Sequence, residues 1–536
     1  MRHAFYNGQI YTGGLTFQEA FLVEDGMFAD VGSSQYILSQ NHDAKTDLEG
    51  CFVCPGFNDS HMHLLSLGRV LTVAPLASHT SSLEEMIDCL RKTPPGQGGW
   101  ILGRGWNQDL FSDYSRMPNR FDLDRVSTDH PVCAIRACGH ALCLNSRGLE
   151  EIGITAHSLQ PEGGEIGFTS GEPNGLLFDA AMDYALKCLP LPEKDTLKDL
   201  IRMACGALNA QGITSCQSDD YSAFQGLSWE IVNEAFEELE KSGELTVRIC
   251  EQANLPELRL LEAFLEKGYN TGTGNDFFRI GPLKLLGDGA LGARTAYLSQ
   301  PYADAPASRG LCIFSQKEFD DLIGLAHKNG MQTAIHCIGD ACLDMVLNAI
   351  EKALATHPRP DHRHGIVHCQ ITRPDQLEKM AALNLHIYAQ SIFLDYDIHI
   401  VEARCGNHLA ESSYSWKTLL DTGCSVSNGS DCPVEYPNVL GGIQCAVTRR
   451  DLKGFGPYLP HEAFSIREAL DSFTAAGAYA SFEENRKGQI APGMLADFTV
   501  LGENPFRINP NKLNTIPVLS TWVGGKLVFS RQIADS

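Results

Sequence analysis

Two histidines close the stretch Pro55-Gly56-Phe57-Asn58-Asp59-Ser60-His61-Met62-His63, at the end of an apolar run. Residues two apart on a β-strand point to the same face, so His61 and His63 can present two imidazoles to one metal ion. Such a pair also occurs by chance in ordinary strands, where neutral imidazole serves other roles. The pair gains weight because further candidate ligands follow at the ends of later strand-like runs. These candidates are Lys284, His336, His368 and Asp431.

The length of the chain fits a barrel with appendages. Its 536 residues exceed one ordinary domain, but a (β/α)8 barrel with insertions can occupy more than about 400 residues. Between the chain ends, β-rich runs alternate with helical patterns, which predicts βαβ units and a parallel sheet buried on both faces. Eight runs, the strand count of a closed α/β barrel, are predicted as strands: 52–58, 213–218, 246–252, 279–286, 332–336, 365–370, 386–392 and 425–431.

Helices are predicted between these strands. Apolar residues recur with a period near 3.6 residues over 82–92, 319–329, 341–355 and 374–383. A further helix begins at the capping box Ser465-Ile466-Arg467-Glu468, which satisfies free backbone amides, and it is predicted to run to about Tyr479 on the outer wall of the barrel.

Both ends of the chain carry short β signals instead of the βα alternation. Near the amino terminus these signals are separated by Asn7-Gly8 and Asp25-Gly26 turns, and near the carboxyl terminus by Gly524-Gly525. We therefore expect residues 1–54 and 488–536 to pair into one composite β-sandwich domain. Residues 55–487 would form the barrel.

One connection is too long for a simple crossover. About 150 residues separate the first predicted strand from the second, whereas a crossover with its helix needs only a few tens. An inserted subdomain, residues 67–205, is predicted there, and it would overhang the barrel mouth as a lid or specificity element. Trp106 and His140 are its candidate substrate contacts. The alternatives are a tryptophan in the subdomain's own core and a surface or satisfied core histidine.

The charge of the chain limits its partners. The net charge is −24 and the isoelectric point is near 5.1, which disfavours nucleic acid and anionic membranes because both need a basic surface. No apolar run reaches the roughly 18 residues that span a bilayer, and the amino terminus lacks a secretory signal. We expect a cytoplasmic protein with a small-molecule substrate, 18 reduced cysteines, and either a monomer or a homo-oligomer.

The candidate ligands are nitrogen and oxygen donors, which suit zinc first and also manganese, iron or nickel. Lys284 cannot ligate as an ammonium, because it has no lone pair and repels a cation. If carbon dioxide adds to its neutral amine, the resulting carbamate can bridge a pair of metals. Equally, Lys284 could form an ion pair with Asp288 or stabilise a developing oxyanion.

Asp431 is the predicted general base. It lies in Asn428-Gly429-Ser430-Asp431-Cys432-Pro433, where it could bind metal with one oxygen and accept a proton with the other. The alternative is a turn or helix cap before Pro433.

A glycine-rich loop follows the Lys284 strand. Gly287-Asp288-Gly289-Ala290-Leu291-Gly292 matches a dinucleotide-binding pattern, but Pro301 and Pro306 interrupt the helix that such a unit needs. We interpret the glycines as shaping a loop around the site. Asp288 and Arg294 would contact substrate there, or else form an ion pair that fixes the loop.

Taken in order, these residues resemble the amidohydrolase superfamily, in particular the YtcJ-like metal-dependent hydrolases that include N-substituted formamide deformylases. The resemblance covers nearly the whole chain. Its motifs are the residues 55–63, 103–107, 212–215, 284–292, 334–340, 429–435 and 488–498.

The resemblance implies a deformed (β/α)8 TIM barrel beside a β-sandwich, and a metal-activated water that attacks an amide-like carbon. His61 and His63 would hold the more buried metal, His336 and His368 the more exposed one, and modified Lys284 would bridge them; one or two ions are bound across the superfamily. Val367 replaces a common glutamate, and Gln217-Ser218-Asp219 stands where the family often shows a histidine before aspartate.

The predicted function is hydrolysis of a carbon–nitrogen bond, other than a peptide bond, in a small molecule (EC 3.5 type). Two alternatives stay open. One is a deaminase acting on a heterocyclic or amidine carbon, which usually needs one metal. The other is a metal-binding regulatory protein that has lost catalysis.

Overall fold

A computed structural model describes residues 1–14, 17–138, 140–224 and 226–531. Its central feature is a sheet of eight strands in which all neighbouring pairs are parallel. In chain order the strands are β1 (Phe57–Met62), β2 (Ile213–Ser218), β3 (Arg248–Asn254), β4 (Phe278–Leu286), β5 (Thr333–Cys337), β6 (Gly365–His368), β7 (His386–Ala389) and β8 (Ser425–Asn428).

The sheet nearly closes between β1 and β8. The amide of Asp431 donates to His61 O at 2.8 Å, and the amide of His63 donates to Cys432 O at 2.8 Å. Both contacts lie where the first and last strands end. The prediction of an α/β fold with an eight-stranded parallel barrel is therefore confirmed.

The predicted first strand, 52–58, is wrong in its extent. Phe52–Pro55 pairs in a different sheet, and β1 starts only at Phe57. The change occurs at Gly56, where a Cβ atom would come within 2.2 Å of Thr214 Oγ1. The apolar run is continuous through both strands, so composition alone does not show this break. The seventh predicted strand is also shorter, because a 3₁₀ turn occupies Ser391–Phe393.

Helices follow most barrel strands. Those of ten or more residues are Leu83–Lys92, Lys194–Ala210, Trp229–Lys241, Gln316–Lys328, Asp340–Thr356, Val401–Ala410 and Val439–Thr448. Shorter ones include Leu64–Leu71, Leu258–Glu266, Pro374–Ala382 and Trp416–Asp421. Within the described ranges, no helix has the length and apolar character needed to cross a membrane.

The capping box at Ser465 is present, since Ser465 Oγ accepts from the Glu468 amide and Glu468 in turn accepts from the Ser465 amide. The helix that follows is shorter than predicted. It ends at Ser472, and a second helix spans Ala475–Ala480. The break lies at Thr474, whose φ of −136° and ψ of −90° are not helical.

The chain ends form two further sheets. One has the order Met27–Gly32, Ala20–Glu24, Arg2–Tyr6, Ala44–Asp47, and the other the order Lys526–Ser530, Val518–Val523, Phe498–Leu501, Phe52–Pro55, Gln9–Tyr11, Phe17–Gln18. Aromatic residues of both sheets, among them Phe5, Phe21 and Phe498, share one apolar core. A single β-sandwich domain with the boundaries 1–54 and 488–536 stays a proposal.

Leu65–Ala204 and Ser222–Phe236 form a compact unit of their own. Its six-stranded sheet has the order Gly164–Thr169, Glu172–Asp179, Ala141–Leu144, Val132–Arg136, Ile101–Trp106, Ala74–Pro75. Two apolar clusters, one containing Trp106 and the other Trp100, give the unit its own core. The placement of residues 67–205 over the barrel mouth stays a prediction.

Candidate metal centre

His61 and His63 lie at the carboxyl end of β1, and each ring is fixed by a hydrogen bond through Nδ1. His61 Nδ1 lies 2.7 Å from Gln252 Oε1, and His63 Nδ1 lies 3.0 Å from the carbonyl oxygen of Asp219. Gln252 donates its own amide to Ser60 O at 3.1 Å, which orients its Oε1 towards His61. These acceptors hold a proton on Nδ1 of both rings, so Nε2 is the nitrogen of each ring that a metal ion would bind.

His368, at the end of β6, follows the same pattern. Its Nδ1 lies 2.8 Å from Gln390 Oε1, and Gln390 donates to Tyr388 O at 2.9 Å. The ring centroids of His61 and His368 are 5.6 Å apart. Burial, followed by the neighbouring His336, lowers the pKa of His368 well below its ordinary value, so this imidazole is neutral.

His336, at the end of β5, is held by neighbouring oxygens through Nε2, whereas the other three histidines are held through Nδ1. Its Nε2 lies 3.2 Å from Gly289 O and 3.3 Å from Asp288 Oδ1. Nε2 therefore donates to one of these oxygens, and Nδ1 is the nitrogen that a metal ion would bind. The His336 and His368 centroids are only 4.4 Å apart. The structure thus brings together the four histidines that the sequence singled out.

Asp431 meets the β1 histidines. Its Oδ1 lies 3.3 Å from His61 Nε2 and 3.1 Å from His63 Nε2, and one ligand atom of each of these residues lies within 4.8 Å of the other two. The residue has a left-handed φ of 56°. Buried Asp59 holds the preceding turn by accepting from the Ser430 amide and hydroxyl at 3.0 and 2.5 Å.

The charges of Asp431, His61 and His63 favour the binding of a cation between them. Burial raises the pKa of Asp431, but hydrogen bonds with His61 and His63 outweigh it and hold the pKa well below its usual range. Burial and then the Lys284 charge lower the pKa of His61 to about 4. Burial also lowers the pKa of His63, but Asp431 outweighs this effect and raises it to about 9. A proton thus bridges His63 and Asp431, in a position where a metal ion would satisfy the same two atoms.

Lys284 is fully buried on β4. Its Nζ lies 3.6 Å from Asp219 Oδ2 and makes no hydrogen bond to any described residue. The ion pair with Asp288, one of the alternatives for Lys284, does not form. The Asp288 oxygens instead accept from the amides of Tyr297, Ile338 and Gly339 at 2.8 to 3.0 Å. A buried amine without a hydrogen bond is costly.

The four candidate substrate contacts are placed as follows. Asp288 fixes backbone amides beside His336, and Arg294 forms a two-pronged ion pair with Asp304 at 3.0 and 2.8 Å. In the separate unit, Trp106 is fully buried and donates to Ala134 O at 3.0 Å, while exposed His140 contacts Asp179 at 3.0 Å. These contacts support packing or loop-fixing roles, and substrate contact stays a prediction for all four.

Comparison with known proteins agrees with this geometry. The model of a family described as "Amidohydrolase family" matches residues 46–529. The chain belongs to the amidohydrolase family. It is 33% identical over 545 residues to the "Putative amidohydrolase YtcJ" of Bacillus subtilis, covering 99% of this chain and 100% of the relative. It is 28% identical to the "N-substituted formamide deformylase" of Arthrobacter pascens, covering 96% and 95%.

A solved structure extends the comparison. An uncharacterised metal-dependent hydrolase from Pyrococcus furiosus superposes with a TM-score of 0.79 at 29% identity, covering 95% of this chain and 100% of that one. As an amidohydrolase-family protein, this chain is a metal-dependent hydrolase. The predicted resemblance is confirmed.

Sequence reasoning missed the residues that orient the ligands in this family member. His61 is oriented by Gln252, and His368 is oriented by Gln390. His63 is held by the Asp219 carbonyl, and the turn before Asp431 is held by Asp59. Asp59 was within the quoted motif and could have been found there. The two glutamines had one usable signal: each lies near the end of a barrel strand, β3 or β7.

Proposed function

We propose that this protein hydrolyses a carbon–nitrogen bond, other than a peptide bond, in a small molecule, with one or two divalent ions and with zinc as the first candidate. The observation that carries the proposal is the shared orientation of His61, His63 and His368. Each keeps its Nδ1 proton on a fixed oxygen and leaves Nε2 for a ligand. Neutral imidazoles held this way are typical zinc ligands.

The residues present fit two ions. His61 and His63 would hold one, His336 and His368 the other, and Asp431 would ligate through Oδ1. Lys284 supports this division, because its buried Nζ has no hydrogen-bond partner among the described residues. A carbamate on Nζ would supply two oxygens of negative charge to a site that otherwise places an ammonium beside its cations.

A bound divalent cation lowers the pKa of water towards roughly 7 and polarises a carbonyl oxygen. Asp431 performs the proton transfers. Its Oδ1 faces the two imidazoles, and no described residue donates to its Oδ2, which is free to accept a proton. Asp431 takes that proton from water as the water oxygen adds to the carbonyl carbon, and returns it to the leaving nitrogen as the carbon–nitrogen bond breaks.

The proposed substrate class is supported by the family and by one relative. The Arthrobacter relative is named for N-substituted formamides, so formamides, acyl amines and cyclic amides are the compounds to test first. A deaminase acting on a heterocyclic carbon uses similar chemistry, usually with one ion and no modified lysine.

Metal content per chain, measured by elemental analysis on protein purified without chelator, is the first test. An intact mass under mild conditions would detect carbon dioxide on Lys284. We expect two ions, the carbamate, and hydrolysis of at least one amide in the panel. One ion without the carbamate would favour the deaminase, and full metal without hydrolysis of any amide or imine would favour the regulatory protein. Absence of metal would refute the whole assignment.

A further inference from the structure

A second binding site candidate lies within the unit formed by Leu65–Ala204 and Ser222–Phe236. It is a cavity of about 480 Å³, within the size range of pockets that hold small molecules. Four leucines and Phe224 form its apolar walls, and Arg69, Lys187 and Asp183 are its charged residues. None of the candidate metal ligands lines it.

Arg69 is the main feature of this cavity. The residue is half-buried near the end of the helix Leu64–Leu71, and its guanidinium lies 5.5 Å from the centre of the Phe224 ring. No described residue forms an ion pair or a hydrogen bond with that guanidinium. A guanidinium carries five N–H donors, and its partial burial removes water that would otherwise satisfy them. Arg69 therefore has unused capacity for an anionic partner.

The other charges do not neutralise Arg69. Asp183 and Lys187 lie on the helix Ala180–Cys188 and contribute one negative and one positive charge, so together they add no net charge to the cavity wall. No described carboxylate forms an ion pair with Arg69, and nearby Arg104 adds positive charge, since burial and then Arg104 lower the pKa of Arg69. The chain as a whole carries −24, so this positive cavity departs from the acidic character of the protein.

We propose that the cavity binds a small organic carboxylate that carries an aromatic or branched apolar group. The planar fork of Arg69 matches a carboxylate with two parallel hydrogen bonds. The leucines and Phe224 take up the apolar part, whose transfer from water supplies much of the affinity. The proposal goes beyond hydrolysis at the metal centre and does not depend on it.

Calorimetric titration of the full-length protein with 3-phenylpropionate tests the proposal. Two comparison ligands separate the contributions: acetate has the charge without the apolar group, and 3-phenyl-1-propanol has the apolar group without the charge. We expect 3-phenylpropionate to bind at least about tenfold more tightly than either. The same affinity should be measured after metal is removed with a chelator, because a carboxylate can also bind a metal ion.

Variants locate the bound ligand. Arg69→Met should weaken 3-phenylpropionate binding at least about tenfold and leave the affinity for 3-phenyl-1-propanol unchanged. Lys187→Met should cause a smaller loss of affinity for 3-phenylpropionate. Arg147→Met is the matched control, because exposed Arg147 already pairs with Glu150 and Glu151. Circular dichroism checks the folding of each variant. If Arg69→Met does not fold, two other measurements test the proposal. Lys187→Met should weaken 3-phenylpropionate binding, and the unsubstituted protein should bind the acid at least about tenfold more tightly than 3-phenyl-1-propanol.

Three results would overturn the proposal: no binding of 3-phenylpropionate at millimolar concentration, equal binding of the acid and the alcohol, or an unchanged affinity in folded Arg69→Met. Loss of binding on metal removal would also overturn it, since the carboxylate would then occupy the metal centre.

Discussion

Replacing Gln252 with methionine tests the orientation of the metal ligands directly. Gln252 Oε1 accepts from His61 Nδ1 at 2.7 Å, and both side chains are buried. Methionine keeps the length of the side chain but offers no comparable acceptor. The buried Nδ1–H then lacks a partner, which costs about 1 to 3 kcal/mol, equivalent to about a 5- to 150-fold change in affinity. We expect metal affinity to fall about 10- to 100-fold, the usual effect of losing such an outer contact.

The loss has a specific physical origin. Without Gln252 the proton of His61 is no longer held on Nδ1, so the tautomer with the proton on Nε2 becomes accessible, and that tautomer has no lone pair for the metal. Gln390→Met should act in the same way on His368, whose Nδ1 lies 2.8 Å from Gln390 Oε1.

The assay is the metal dissociation constant, measured by competition with a chromophoric chelator. Gln444→Met is the control, because buried Gln444 accepts from the Asn514 amide at 3.1 Å and touches no candidate ligand. Gln252→Met and Gln390→Met each lose two side-chain hydrogen bonds, whereas Gln444→Met loses one. Urea unfolding of all three variants therefore separates a loss of stability from a loss of metal affinity. If Gln252→Met and Gln390→Met bind metal as tightly as Gln444→Met, the assigned tautomers are wrong.

Three further predictions concern the base, the lysine and acid stability. Asp431→Asn should retain metal, since the amide oxygen can still coordinate, while turnover falls about 10²- to 10⁴-fold; unchanged turnover would remove Asp431 as the base. Lys284→Ala should lose metal occupancy, which short carboxylic acids partly restore; full occupancy in the untreated variant would exclude a carbamate bridge. Burial lowers the pKa of His386 from 6.5 to about 3, so the unfolded state binds the extra proton and stability is lost as pH falls below 6.5. Between pH 7.5 and 5 this loss of stability is about 2 kcal/mol. It can be measured by urea unfolding of the protein after metal removal, with His386→Gln as the comparison. An equal loss in the variant would contradict the prediction.

The sequence predicted the candidate metal ligands better than it predicted the residues that orient them. His61, His336 and His368 could be found because ligands must lie at strand ends, and strand ends can be read from apolar runs. Gln252 could not, because its partner lies 191 residues earlier and no spacing rule links them. The break at Gly56 was missed for a similar reason. It depends on the close approach of Thr214, which only the folded chain reveals.

Asp288 links the glycine-rich loop to the metal centre. One carboxylate accepts the amides of Ile338 and Gly339 and also faces His336 Nε2 at 3.3 Å. Gly339 cannot carry a side chain, since a Cβ there would meet Tyr297 O at 2.1 Å. Within the glycine-rich loop, a Cβ at Gly287 would meet His336 O at 2.5 Å and a Cβ at Gly289 would meet Thr295 Oγ1 at 2.2 Å, so close packing accounts for both glycines. This packing lets Asp288 accept the amides at the start of the helix Asp340–Thr356 and face the candidate ligand His336 with the same carboxylate.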